Sequence, residues 1–273
     1  MNTPIHTPKF SFGKWCFLFI GGIILFTIAY AFATIPELYI GNNWISGTIS
    51  FICGVLLLLM YRWLVRSYEE RKIVELSMQK CFKHTCIGFL WGMLMMAAII
   101  GVFALFGWYK IVGSNFNIAS IYRFLMTYFV VAVGEEIVFR GIMFRLFDSQ
   151  FNLWVALILS AFLFGAAHII NPNATVISTI GISLAAGVLF GLLFKYYRTL
   201  WVPIGIHWSW NFVQGTVAGC PVSGGAPDYS ILESFTSGPE LFTGGLFGPE
   251  ASVITMAIGF VICVWIGIKL FKR

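Results

Sequence analysis

Charge is what this sequence has least of. Of its 273 residues only 10% are charged, against about 25% in ordinary soluble domains. A water-soluble fold so poor in charge would have nothing to cover its surface, so the solvent must be lipid. No internal repeat, low-complexity tract or long hydrophilic segment interrupts the chain, which argues for a single domain over 1–273 with no soluble appendage. Cysteine is sparse too. Cys16, Cys53, Cys81, Cys86, Cys220 and Cys263 match no zinc or redox spacing, and three fall inside apolar stretches, where a thiol behaves as a small hydrophobe. Structural disulfides are not expected. The net charge of +6 is no nucleic-acid signal, because in a chain of this class basic residues mark cytoplasmic loops.

What is abundant is apolar: 59% of the residues, including 28 phenylalanines. A helix needs roughly 20 apolar residues to cross the hydrocarbon core. Such stretches stand at 15–35, 45–65, 86–108, 118–147, 153–170, 175–194, 200–218 and 250–271. The expected fold is therefore all-α, a polytopic transmembrane helix bundle of about eight spans. Threaded from an inside N-terminus, fifteen of the 17 Lys and Arg residues fall on one side, and only Lys110 and Arg123 on the other. That asymmetry places both termini in the cytoplasm. Lys9, Lys14 and Ala29-Tyr30-Ala31 around the first run resemble a signal peptide, but the run continues to Ile35 and favours an uncleaved helix. The charged segment 67–85 reads either as a cytoplasmic helix on the membrane surface or as a solvated connector. Gly- and Pro-rich 220–249, with apolar Leu241-Phe242 and Leu246-Phe247, reads as an outer loop folded back onto the bundle.

Against this background a few polar residues stand out. Glu135 and Glu136 are adjacent and well inside the fourth stretch, whereas nearly all other acids lie in loops or at helix ends. His6 is in the N-terminal tail and His84 in the connector; His168 and His207 lie inside the fifth and seventh stretches. A charge at the bilayer centre costs a few kcal/mol even on lenient scales, so the coincidence of two Glu and two His points to function. Counted from the cytoplasmic helix ends at 1.5 Å per residue, their depths overlap, on the order of 10 to 22 Å. Glu136 and Arg140 are spaced to pair on one helix face, which leaves Glu135 free as a general base toward water. His207 and Asn211 share a face and suit an oxyanion hole. His168 ends the small-residue run Gly165-Ala166-Ala167, which allows close helix packing, and can orient the same water as Glu135. A lone His or a lone Glu–Arg pair would be structural; the joint set favours a site.

Glu135-Glu136 with Arg140, Phe164 with His168, and His207 with Asn211 resemble, in that order, the signatures Glu-Glu-x-x-x-Arg, Phe-x-x-x-His and His-x-x-x-Asn of the CAAX prenyl endopeptidase and bacteriocin-processing membrane proteases, the Ras-converting-enzyme type. The segments 241–245 and 247–250 look like a loop common in bacterial members. The resemblance covers roughly 135–250, within a motif-bearing core at about 118–250. It implies an intramembrane endopeptidase of the glutamate type in a bacterial cell membrane. Glu135 and His168 would activate water, His207 and Asn211 would hold the oxyanion, and Glu136, Arg140 and Phe164 would support the site. Catalysis in the family points to no metal or other cofactor; by ligand type, Glu135, His168 and His207 are also a three-ligand zinc set. The expected partners are a peptide or protein substrate, reaching in from the cytoplasmic side, and the lipid bilayer, with no nucleic acid. Oligomeric state is not written in the sequence. The competing readings are a non-catalytic scaffold or bacteriocin-immunity protein and, more remotely, a proton-coupled transporter, which the lack of an internal repeat disfavours.

Overall fold

In lipid a backbone can satisfy its own hydrogen bonds only by winding into helices or closing into barrels, and each of the eight apolar stretches forms a helical rod. The computed structural model describes residues 9–272, apart from the side chains of 36–38; His6 lies outside the described residues. The rods are α1 (12–39), α2 (Asn43–Glu69), α3 (Met78–Leu105), α4 (118–150), α5 (Leu153–Ile170), α6 (Val176–Tyr197), α7 (201–217) and α8 (Val253–Phe271). Their starts are written locally. The Asn42, Asn117, Asn152 and Ser252 side chains accept backbone N–H groups at the beginnings of α2, α4, α5 and α8, and Thr175 with Ser178 makes a capping box on α6.

Six rods, α1, α2, α3, α5, α6 and α8, are long and apolar enough to cross a membrane. They present Ile24, Phe32, Leu56, Phe162 and Phe260 outward, as a lipid-facing surface would. The other two, α4 and α7, carry the polar residues and pack inside. Every residue of 201–211 except Trp208 is buried. Close approach makes this possible. A side chain at Gly205 would stand 2.5 Å from the Thr85 carbonyl, and one at Gly88 would strike the Val202 carbonyl, so α3 and α7 cross backbone to backbone. Gly165 plays the same part between α5 and α6, where a Cβ would lie 2.5 Å from the Thr179 carbonyl.

Five of the rods are wound wide over part of their length, α1 over Phe17–Gly21, α2 over Val65–Glu69, and, next to the polar residues, α4 over Ile137–Phe144, α6 over Ser183–Val188 and α7 over Phe212–Val217. Such turns loosen the regular backbone ladder and gather at functional sites.

The loop 220–249 does fold back, and with structure of its own. Residues Tyr109–Ser114 (β1) pair antiparallel with Leu232–Thr236 (β2), a small ribbon added to an otherwise helical fold. Phe247 is buried and its carbonyl accepts the Gly224 N–H at 2.8 Å. The loop is thereby held over one end of the bundle.

The segment 67–85 is neither a surface helix nor a solvated connector. The α2 rod runs on to Glu69, Glu70 turns the chain with φ 55°, and α3 begins at Met78. Between them the charges turn inward. Arg145 grips Glu69 at 2.7 and 2.5 Å, Arg71 binds Glu69 at 2.7 Å and Glu75 at 3.0 and 2.5 Å, and the Tyr61 hydroxyl lies 2.7 Å from Glu75. Burial pushes the Glu75 carboxyl up, but the Arg71 hydrogen bond and the charges of Arg71 and Arg145 outweigh it and hold it below the usual carboxylate range. Part of a charge run that reads as solvated from sequence is a buried knot, because Glu69, Arg71 and Glu75 each meet an opposite charge there, while Glu70 and Lys72 stay exposed.

Candidate active site

The polar residues of α4, α5 and α7 converge. Glu136 is fully buried, and its Oε1 accepts from Arg140 Nη1 at 2.8 Å, as the four-residue spacing foretold. The same oxygen lies 3.0 Å from His207 Nδ1 on α7. The other imidazole nitrogen, Nε2, stands 3.8 Å from Glu135 Oε2. His207 is therefore hydrogen-bonded to Glu136 and stands near Glu135, whose buried Oε2 has no hydrogen-bond partner, in keeping with the free carboxylate expected from helix geometry.

Arg140 is held on every side. Its guanidinium donates to the Ala186 and Gly187 carbonyls at 3.1 and 3.3 Å, oxygens presented by the wide turn of α6. Its plane lies over the Phe164 ring at 4.5 Å and the Phe190 ring at 5.1 Å. Phe164 is thus the floor beneath Arg140 as well as the neighbour of His168, whose ring is 4.8 Å away.

His168 Nδ1 lies 2.7 Å from the Phe164 carbonyl. A carbonyl only accepts, so Nδ1 carries the proton, and in the neutral ring Nε2 is left as an acceptor. By the same logic the bond to the Glu136 carboxylate puts a proton on His207 Nδ1.

Two adjoining spaces meet these side chains. A cavity of about 290 Å³ is lined by Glu135, His168, His207 and Asn211, with Tyr128 and Ser223 among its other walls. A void of about 30 Å³, behind Phe164 and Phe190, touches His168, His207, Asn211 and Glu250. That is room for a single water with polar partners around it. Buried Asn211, one turn beyond His207, lines both spaces. All seven sequence-chosen residues are in or against this site. Among the described residues no three His, Cys, Asp or Glu side chains are gathered so that they would hold a metal ion. The Glu135, His168 and His207 set does not fit zinc in this arrangement.

Two wall residues went unnoticed in the sequence as site groups. Phe190 packs 5.7 Å from the His207 ring. Glu250 accepts the Ser223 N–H and stands at the wall of the small void. Their only sequence signals were an aromatic among many and a carboxylate after Gly-Pro. The larger cavity runs along Phe124, Thr127, Tyr128 and Val131 of α4 toward Val222–Asp228. Its wall is thus shared between α4 and the folded-back loop 220–249.

A multi-pass helical membrane protein with its acid and imidazole groups meeting inside the bundle is the class these features define. Residues 117–213 match the family model for type II CAAX prenyl endopeptidases, Rce1-like. That stretch, which holds all three motifs, is similar to this family. No curated protein matches the chain.

Proposed function

We propose that the chain is an intramembrane endopeptidase that cleaves a peptide or membrane-associated protein with water activated by Glu135 and His168. The supporting observation is the placement of His207 between the two carboxylates, 3.0 Å from Glu136 and 3.8 Å from Glu135, on a cavity shared with His168 and Asn211. A scaffold has no need of such a constellation.

In this reading a water sits between Glu135 and His168 Nε2. Glu135 takes its proton as the oxygen bonds to the scissile carbonyl carbon. The carbonyl oxygen, now negative, is received by the Asn211 amide and by His207 Nε2–H. His207 donates there only as an imidazolium, since its other proton is committed to Glu136. Two carboxylates, one guanidinium and one imidazolium then sum to zero charge, which suits a site removed from water. Glu135 returns its proton to the leaving amine as the C–N bond breaks. No step requires a metal, and metal analysis of active, purified protein checks this: stoichiometric zinc whose removal ends activity would replace the scheme.

We place α4 and α7 across the membrane with the other six rods and both termini in the cytoplasm. The cavity then faces away from the cytoplasm, and substrate enters from the outer face, not from the cytoplasmic side that the sequence suggested. The decisive comparison is peptidomics of membranes carrying the native chain or its Glu135→Gln variant. Cleavage should fall by about 10²- to 10⁴-fold at equal abundance; an unchanged product profile would leave only the scaffold.

A further inference from the structure

The opposite end of the molecule holds a second, larger space that the peptidase reading does not use. It has a volume of about 780 Å³ and lies where the ends of α2, α3 and α6 meet. Arg62, Lys72, Lys80 and Arg198 line it, together with His84, and none of its described lining residues is a carboxylate. Glu75, next in sequence to the lining residues Val74 and Leu76, is turned away into the knot with Arg71 and Tyr61. His84 Nδ1 is buried without a hydrogen-bond partner. The first turn of α3 also lies in this wall, and the Ser77 side chain does not cap it. Free backbone N–H groups and the positive end of a 28-residue helix add to the side-chain charge.

We infer that this cavity binds the phosphate of an anionic membrane lipid. Arg62, Lys72 and Lys80 give the space one sign of charge, with no carboxylate among its described walls, and such a field draws an anion in. A tetrahedral phosphate accepts from ammonium, guanidinium and helix N–H groups alike. The lipid is favoured over a soluble phosphate by position. The space sits at the ends of apolar rods, on the basic face, where the cytoplasmic leaflet places its anionic headgroups. Half-buried Tyr196 and Tyr197 on the same wall suit the headgroup level. Because the site shares no residue with the Glu135 cavity, it stands or falls apart from the peptidase reading.

The test uses purified full-length protein in micelles, with phosphatidylglycerol or phosphatidylcholine added and retention read by native mass spectrometry. The native chain should keep one phosphatidylglycerol selectively. The Lys72→Gln/Lys80→Gln variant should keep it roughly tenfold less well or worse, two surface cations being removed. The Lys269→Gln/Lys272→Gln variant, which removes two charges elsewhere on the same face, should behave as native. Equal loss in both variants would mean generic surface charge and overturn the site. Displacement of the lipid from the native chain by inorganic phosphate at millimolar level would overturn the lipid assignment in favour of a soluble anion.

Discussion

Asn211 shows how much one side chain in this site can be asked to do. It lines both spaces, one helical turn from His207. If it receives the oxyanion, Asn211→Ala should lower kcat by about 10²- to 10³-fold and leave KM nearly unchanged, because the charge exists only in the transition state. Steady-state kinetics on a cleaved peptide reads this directly; a change in KM alone would make Asn211 a substrate contact. At this scale the sequence was informative for residues whose chemistry is expensive in lipid. Glu135, Glu136, Arg140, His168, His207 and Asn211 all announced themselves by cost. Phe190 and Ser223 did not, because an aromatic ring and a backbone N–H become site parts only through tertiary placement.

Among the helices, the site depends on how closely α7 can approach α3 and α4. The Gly88 and Gly205 crossing brings α7 in far enough for His207 to reach both carboxylates of α4. Gly205→Leu should separate the rods and destabilise the protein by at least about 1–3 kcal/mol, the ordinary cost of overpacking. A lowered unfolding temperature together with lost cleavage is the expected result; native stability would show that the crossing can yield. The positions of all eight rods were legible as apolar stretches. The β1–β2 ribbon was not, since Tyr109–Ser114 follows an apolar run and its partner lies in a loop read as irregular. Nor was the knot at Glu69, Arg71, Glu75 and Arg145, where Arg145 lies far along the chain from its partners.

For the whole molecule the two ends differ in charge. One carries the knot and the basic cavity, the other the loop 220–249 and the Glu135 cavity. In a background lacking the native cysteines, Asp228→Cys should react with a membrane-impermeant maleimide in intact cells, and Lys72→Cys only after permeabilisation. The reverse pattern would invert the protein and return substrate entry to the cytoplasm. The knot also sets an acid limit on stability. Glu75 titrates below the ordinary carboxylate range when folded, so its contribution is complete above that range and is lost as pH falls through it into the folded value. Denaturation followed in detergent should show stability falling on the acid side below about pH 4.5. Arg145→Met, which leaves Glu69 short of its bidentate partner, should cost roughly 3–5 kcal/mol near neutrality.

The wide winding of α4 between Ile137 and Phe144 has a consequence for how this helix can vary. An extra residue hidden in the coil advances the phase of everything beyond it, so that Arg140 faces α6 and Arg145 still faces Glu69. Deleting one residue from 141–144 would restore ordinary pitch and swing Arg145 by about 100°. The same short stretch thus acts as a gear between the Glu135 cavity and the charged end, and no deletion there can be silent at both.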